Sequence, residues 1–199
     1  LDSNIRPGKS IDFGFDVETY FNPLIKQLTK FYKADSIEPI EFYGNCYNGN
    51  ADLFTTMSYL PHVDTFPGAD KDINPLNDYA FNLNVTKSDK VKTAFYSFNG
   101  KKSVCDWTPD DYDDHDRVRD RHKKIKAKNW RLLSSENFQN YQLEYVANIE
   151  YNSLILYPSH YWHSVYIKED WFTDTDRVTF TGFFETKTTS SKTKKLGFG

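Results

Sequence analysis

The sequence predicts a predominantly β fold, a sandwich or barrel, and three observations carry that reading. Aromatic residues make up 17% of the 199 residues, with Tyr 14 and Phe 16 against a single Met. A chain rich in Tyr, Phe, Thr and Val and poor in Ala favours strands over helices. Short apolar or alternating stretches recur between turn signals, and they do not alternate regularly with helices as a parallel α/β fold requires. The chain contains no internal repeat and is long enough for one domain with a self-sufficient core, placed at about 10–185.

One helix is expected early. Over 16–33, Phe21, Leu24, Ile25, Leu28 and Phe31/Tyr32 recur at helical spacing, with Asp16 as candidate N-cap and Asn22-Pro23 as an alternative start. Residues 53–60 lead into Pro61-His62-Val63-Asp64. Residues 79–86 alternate, and 92–98 form a second strand candidate ending at Asn99-Gly100, a strong tight-turn signal. Further strands are expected at 143–150, 153–157, 164–168 and 177–184. The polar, basic tail from Thr186 reads as disordered.

Residues 105–136 interrupt this rhythm. Acidic residues cluster at 110–116 and basic ones dominate 117–131, which reads as a partly helical surface insertion, either a solvated loop or a lid or docking element. His115 and His122 fall in it and are expected on the solvated surface. The Asp110–Asp116 cluster lacks the central Gly and terminal Glu of a calcium loop.

The net charge of −3 gives no indication of nucleic-acid binding, and no apolar run is long enough to span a membrane. The first residues carry no signal peptide, and a chain beginning at Leu1 reads as a processed or trimmed form. Cys46 and Cys105 read as reduced thiols of a cytoplasmic protein. Asn84-Val85-Thr86 fits a glycosylation sequon but sits in a strand-like stretch.

The chemistry concentrates in two distant stretches. In an extended His62-Val63-Asp64 the imidazole and carboxylate share one face. His163, within His160-Tyr161-Trp162-His163-Ser164-Val165, is the natural third ligand. Two imidazoles and a carboxylate on one face of an octahedron leave open positions, a set suited to a non-haem Fe(II) oxygenase that binds O2 and a bidentate co-substrate. On 177–184, Arg177, Thr179 and Thr181 fall on one face, with Val178, Phe180 and Phe184 on the other. Arg177 offers a two-pronged donor for a carboxylate, and Thr179 a hydroxyl beside it.

With these residues the chain resembles the Fe(II)- and 2-oxoglutarate-dependent oxygenase superfamily, through His62-x-Asp64, His163-Ser164-Val165 and Arg177-x-Thr179. Thr93-Ala94-Phe95-Tyr96 is similar to a strand of prolyl-hydroxylase-like members, and Tyr151–Tyr157 to the strand before the distal histidine. The same stretches resemble a small bacterial and phage group, the DUF6445 type. The resemblance covers about 55–185, and the 105–136 block fits it poorly. It implies a double-stranded β-helix, or jelly roll, with His62, Asp64 and His163 on Fe(II) and Arg177 and Thr179 on the distal carboxylate of 2-oxoglutarate. The implied reaction is hydroxylation of a small-molecule or peptide substrate coupled to decarboxylation of 2-oxoglutarate to succinate.

Tyr59, Asn82 and Tyr96 lie on strands near that pocket, where they could hydrogen-bond 2-oxoglutarate or serve the fold. His160 is expected on the rim, and Trp162 and Trp171 in packing. Two other classes compete: a non-catalytic jelly-roll module, and a cupin-like hydrolase or isomerase with Zn2+ or Mn2+ on the same three ligands.

Overall fold

The computed structural model describes residues 9–11, 17–47, 61–64, 78–122, 140–168 and 171–187. In chain order these form β1 (Lys9–Ile11), α1 (Val17–Tyr32), β2 (Ser36–Tyr47), β3 (Asp78–Asn84) and β4 (Lys92–Phe98). A 3₁₀ turn (Val104–Asp106) and α2 (Pro109–His122) follow, then β5 (Tyr141–Asn148), β6 (Leu154–Pro158), β7 (His163–Val165) and β8 (Arg177–Lys187). The strands make two antiparallel sheets, a five-stranded one ordered β1-β2-β8-β3-β6 and a three-stranded one ordered β5-β4-β7. An isolated antiparallel bridge between His62 and His163 lays the 61–64 segment beside β7.

Each sheet carries a helix on one face. Phe21, Leu24, Ile25 and Leu28 of α1 pack on Tyr79, Phe81 and Leu83 of β3, Leu154 and Leu156 of β6, and Phe184 of β8. These strand residues recur at every second position, so they line one face of the sheet. The helix runs through Pro23, which lies exposed, instead of restarting there. It ends at Lys33, whose φ of 52° and the Ala34 N–H on the Thr29 carbonyl form a left-handed cap. Asp16 lies outside the described residues.

The opposite faces of the two sheets meet where Phe95 of β4 packs edge-on against Tyr157 of β6, with ring centroids 5.3 Å apart. The far face of the three-stranded sheet holds an aromatic core. Trp162 is fully buried there, stacked on Trp107 at 4.8 Å and touched by Phe98, Tyr141 and His115.

The strands expected over 79–86, 92–98, 143–150, 153–157, 164–168 and 177–184 each overlap an observed one, and Asn99-Gly100 forms the expected two-residue turn with both residues at positive φ. β8 runs on to Lys187, beyond the point where a disordered tail was expected to begin; 188–199 lie outside the described residues. β2 carries no clear alternation in its sequence and contains Pro39 and Gly44. It tolerates Pro39 because the register shifts between Pro39 and Glu41, and because β1 covers only Gly44 to Cys46 of its other edge.

The 105–136 block is not merely a surface insertion. Its described part buries Asp111, His115 and Val118. His115, expected in solvent, sits among Trp107, Trp162 and Phe98. The periodicity is hidden because the buried stripe of α2 contains an Asp and a His. Residues 123–139, including the basic end of the block, and the side chain of His122 lie outside the described residues.

Candidate metal centre

His62, Asp64 and His163 converge, each offering one ligand atom, with all of these atoms within 4.8 Å of one another. Backbone pairing produces this. His62 N–H donates to the His163 carbonyl at 2.8 Å, and His163 N–H donates back to the His62 carbonyl at 2.9 Å. Residues that exchange both bonds stand directly opposite and present their side chains on the same face. Their imidazole centroids are 4.5 Å apart. Asp64, two residues on from His62, returns to that face, and its N–H is fixed on the Ser159 carbonyl at 2.9 Å. The Asp64 carboxylate lies 3.3 Å from His163 Nε2 and 3.9 Å from His62 Nε2.

The His163 ring has a defined orientation. Its Nδ1 lies 2.9 Å from the Tyr161 carbonyl, which can only accept, so Nδ1 carries a proton, and a metal taking the place of any proton between Nε2 and Asp64 would meet the Nδ1–H tautomer. That is the tautomer a metal ligand needs, held by a backbone acceptor. Tyr157 at 4.7 Å and Phe95 at 6.4 Å flank the same ring. Asp64 and His163 side chains are only 6% exposed, whereas His62 is 50% exposed, so the group opens to solvent on the His62 side.

The donor set fits a divalent transition metal. Two neutral imidazoles and one carboxylate match a facial N2O triad, and they leave positions for exogenous ligands. Nothing in the set favours calcium or magnesium, which prefer oxygen donors.

A polar row lies on the face of the five-stranded sheet opposite to α1. Arg177 is buried, and its Nη1 donates to Thr179 Oγ1 at 3.2 Å, which folds the guanidinium along β8. Thr179 pairs with Asn84, and Thr181 with Asn82, whose Oδ1 accepts from Thr181 Oγ1 at 3.2 Å. Phe183, Ala80 and Tyr157 form the next row but one, at the level of His163. From Thr179 to Phe183 the strand advances about 13 Å at ~3.3 Å per residue. Arg177 and Thr179 therefore lie farther along β8 than the row that reaches His163.

Other candidates are placed differently. Tyr96 is buried on the face of β4 opposite to Phe95, where Ser164 Oγ donates to its hydroxyl at 3.4 Å and Tyr141 packs on it. His160 is buried instead of lying on the rim, because Ser103 Oγ sits 2.8 Å from its Nδ1. Trp162 is buried, and Trp171 packs against Tyr166 and Phe172. Asn84 of the sequon is fully buried, its amide on the Ile149 carbonyl. Cys105 is a free thiol whose pKa is pushed up by burial, while the side chains of Cys46 and Tyr59 lie outside the described residues. The Tyr161 carbonyl has no signature in sequence, since any residue supplies one. Phe95 and Tyr157 could have been found from strand alternation once His163 was placed.

No family model matches the sequence, and no curated protein matches it. Among solved structures, one likeness is to an N-substituted L-amino acid dioxygenase from Burkholderia ambifaria AMMD in complex with alpha-KG, at 10% identity and a TM-score of 0.42, covering 89% of this chain and 53% of that one. A second structure of that name aligns at 12% identity and a TM-score of 0.41, over 83% and 64% of the two chains. HygX from Streptomyces hygroscopicus, with nickel and 2-oxoglutarate bound, aligns at 12% identity and a TM-score of 0.46, over 89% and 73%. The chain spans about half to two thirds of the two Burkholderia chains. Likenesses at this level carry no functional weight, which rests on the side chains described above.

Proposed function

We propose that this protein is an Fe(II)- and 2-oxoglutarate-dependent dioxygenase that hydroxylates a small-molecule or peptide substrate. One observation carries the reading: His62, Asp64 and His163 bring their ligand atoms within 4.8 Å, with His163 Nδ1 engaged by the Tyr161 carbonyl and Nε2 turned toward Asp64. The strand orders support a jelly-roll core. Counting from β2 as the first strand and 61–64 as the second, one sheet runs 1-8-3-6 and the other 5-4-7-2. The chain is then read as one such domain. Among the described residues, no helix is long and apolar enough to cross a membrane.

Iron bound to this triad would supply the activation of O2 that is coupled to oxidative decarboxylation of the keto acid. The chain's own work is binding and exclusion. Arg177 and Thr179 form a buried cationic and hydroxyl pair suited to the far carboxylate of a diacid lying along the barrel axis. Phe95 and Tyr157 wall the inner side of His163 and keep water from it. The exposed flank of His62 is where a substrate would approach. Asn82 is tied to Thr181 and can extend the polar row, whereas Tyr96 supports β7 through Ser164 from behind.

The test is 1H NMR detection of succinate formed from 2-oxoglutarate by protein loaded with Fe(II) in air. Succinate formation that disappears in Asp64→Ala is the expected result. A protein that binds the metal but neither binds nor consumes 2-oxoglutarate would contradict the proposal and favour a metal hydrolase or isomerase.

A further inference from the structure

The segment after the Asn99-Gly100 turn runs alongside the turn that precedes His163, and backbone and side-chain contacts join the two. Trp162 N–H donates to the Lys102 carbonyl at 3.3 Å, Val104 N–H donates to the His160 carbonyl at 3.2 Å, and Ser103 bridges Tyr161. From the other side, Tyr96 N–H donates to the Trp162 carbonyl at 2.9 Å. Two side-chain contacts complete the brace. Ser103 Oγ lies 2.8 Å from His160 Nδ1, with both residues buried, and Trp107 stacks on Trp162.

These contacts pin the residues on either side of Tyr161. The carbonyl of Tyr161 is the acceptor for His163 Nδ1, so its direction sets the tautomer and the plane of that imidazole. We infer that Ser103 and His160 are positioning residues for the distal metal ligand, acting through the Tyr161 carbonyl. Ser103 is suited to the role because its hydroxyl is itself oriented. It accepts the Cys105 N–H at 2.9 Å as the cap of the 3₁₀ turn, and its proton is then free to turn toward the imidazole. The 101–122 segment thereby becomes the outer support of the metal centre, which gives a function to a block that reads in sequence as a charged insertion. A brace of this kind acts on ligand orientation, where outer partners typically change metal affinity by about 10- to 100-fold.

This inference rests on the metal-centre reading proposed above, and its experiment separates the two. The variants are Ser103→Ala, Ser103→Thr and His160→Phe. The first readout is the tautomer of His163 in metal-free protein by 15N NMR, and the second is Co(II) affinity with its visible spectrum. In the wild type, His163 should be the Nδ1–H tautomer. In Ser103→Ala and His160→Phe it should become a mixture, with Co(II) bound about 10-fold more weakly and a shifted spectrum, while Ser103→Thr stays within about twofold of wild type. If Ser103→Ala and His160→Phe keep the tautomer and the Co(II) affinity while losing only thermal stability, the pair is structural and the inference is overturned. A wild type that takes up no Co(II) overturns the metal-centre reading instead, and the tautomer comparison still decides this one.

Discussion

The two helices cover the two sheets by different means. α1 lies on the five-stranded sheet through an ordinary apolar stripe, Phe21, Leu24, Ile25 and Leu28 against Phe81 and Phe184. α2 approaches the three-stranded sheet with Asp111, His115 and Val118 as its buried positions. Asp111 accepts hydrogen bonds from Lys101 and from the backbone N–H and hydroxyl of Thr108, the residue before α2, and so caps the start of the helix. The first arrangement needs only area removed from water and tolerates small shifts. The second fixes direction as well as distance, because hydrogen bonds weaken steeply with misalignment. The directed arrangement is the one behind Trp162 and the proposed ligand His163.

The largest effects should fall on the proposed ligands themselves. Asp64→Ala and His62→Ala should weaken Co(II) or Fe(II) binding by at least ~100-fold, with little change in the circular dichroism spectrum. Retention of full metal affinity in either variant would remove that residue from the centre.

A matched pair sharpens the contrast between the two sides. Phe81→Ala, beneath α1, and Trp162→Ala, beneath α2, should each cost ~3–5 kcal/mol in denaturant unfolding. Below the unfolding transition only Trp162→Ala should also lose metal affinity, because its ring holds the turn leading into His163. Equal metal affinity in the two variants would mean that the aromatic core is ordinary packing.

Arg177→Ala should leave metal binding intact and weaken 2-oxoglutarate by ~2 kcal/mol or more, about 30-fold, measured by calorimetry under anaerobic conditions. A change of metal affinity instead would show that Arg177 supports the fold around the ligands.

The smallest effect concerns the α2 cap. Burial alone would raise the Asp111 pKa, but the hydrogen bonds from Lys101 and Thr108, with the Lys101 charge, outweigh it and hold the carboxyl well below the usual carboxylate range. A depressed folded-state pKa adds stability that is present above the unfolded value of about 3.9 and lost as pH falls through the folded one. Asp111→Asn should therefore be less stable by ~1 kcal/mol at pH 5–7, and the gap should close as pH drops below about 4. A gap that stays constant in acid would exclude a role for the ionised carboxylate.

Much of this difference was legible in advance, and the part that was not has a physical reason. The stripe of α1 is written in apolar spacing, and His62-x-Asp64 with His163 is written in residue chemistry that strand alternation aims at one face. β2 was hidden because Pro39 and Gly44 disguise a strand whose bulge accommodates the proline. α2 and His160 were misplaced because both bury polar groups against specific partners, Lys101 and Thr108 for Asp111 and Ser103 for His160. Those partners are defined by tertiary contact, which no local pattern records. The Tyr161 carbonyl that orients His163 is a backbone group and leaves no trace in sequence at all.

The central claim is that His62, Asp64 and His163 hold a metal to which a diacid anchored by Arg177 binds. Its most direct test is anaerobic titration of 2-oxoglutarate into Fe(II)-loaded protein, followed by the visible charge-transfer band of the bidentate keto acid. A band that saturates near one equivalent in the wild type, and requires about 30-fold more 2-oxoglutarate in Arg177→Ala, is the predicted result. Stoichiometric Fe(II) binding with no band at any 2-oxoglutarate concentration would contradict it.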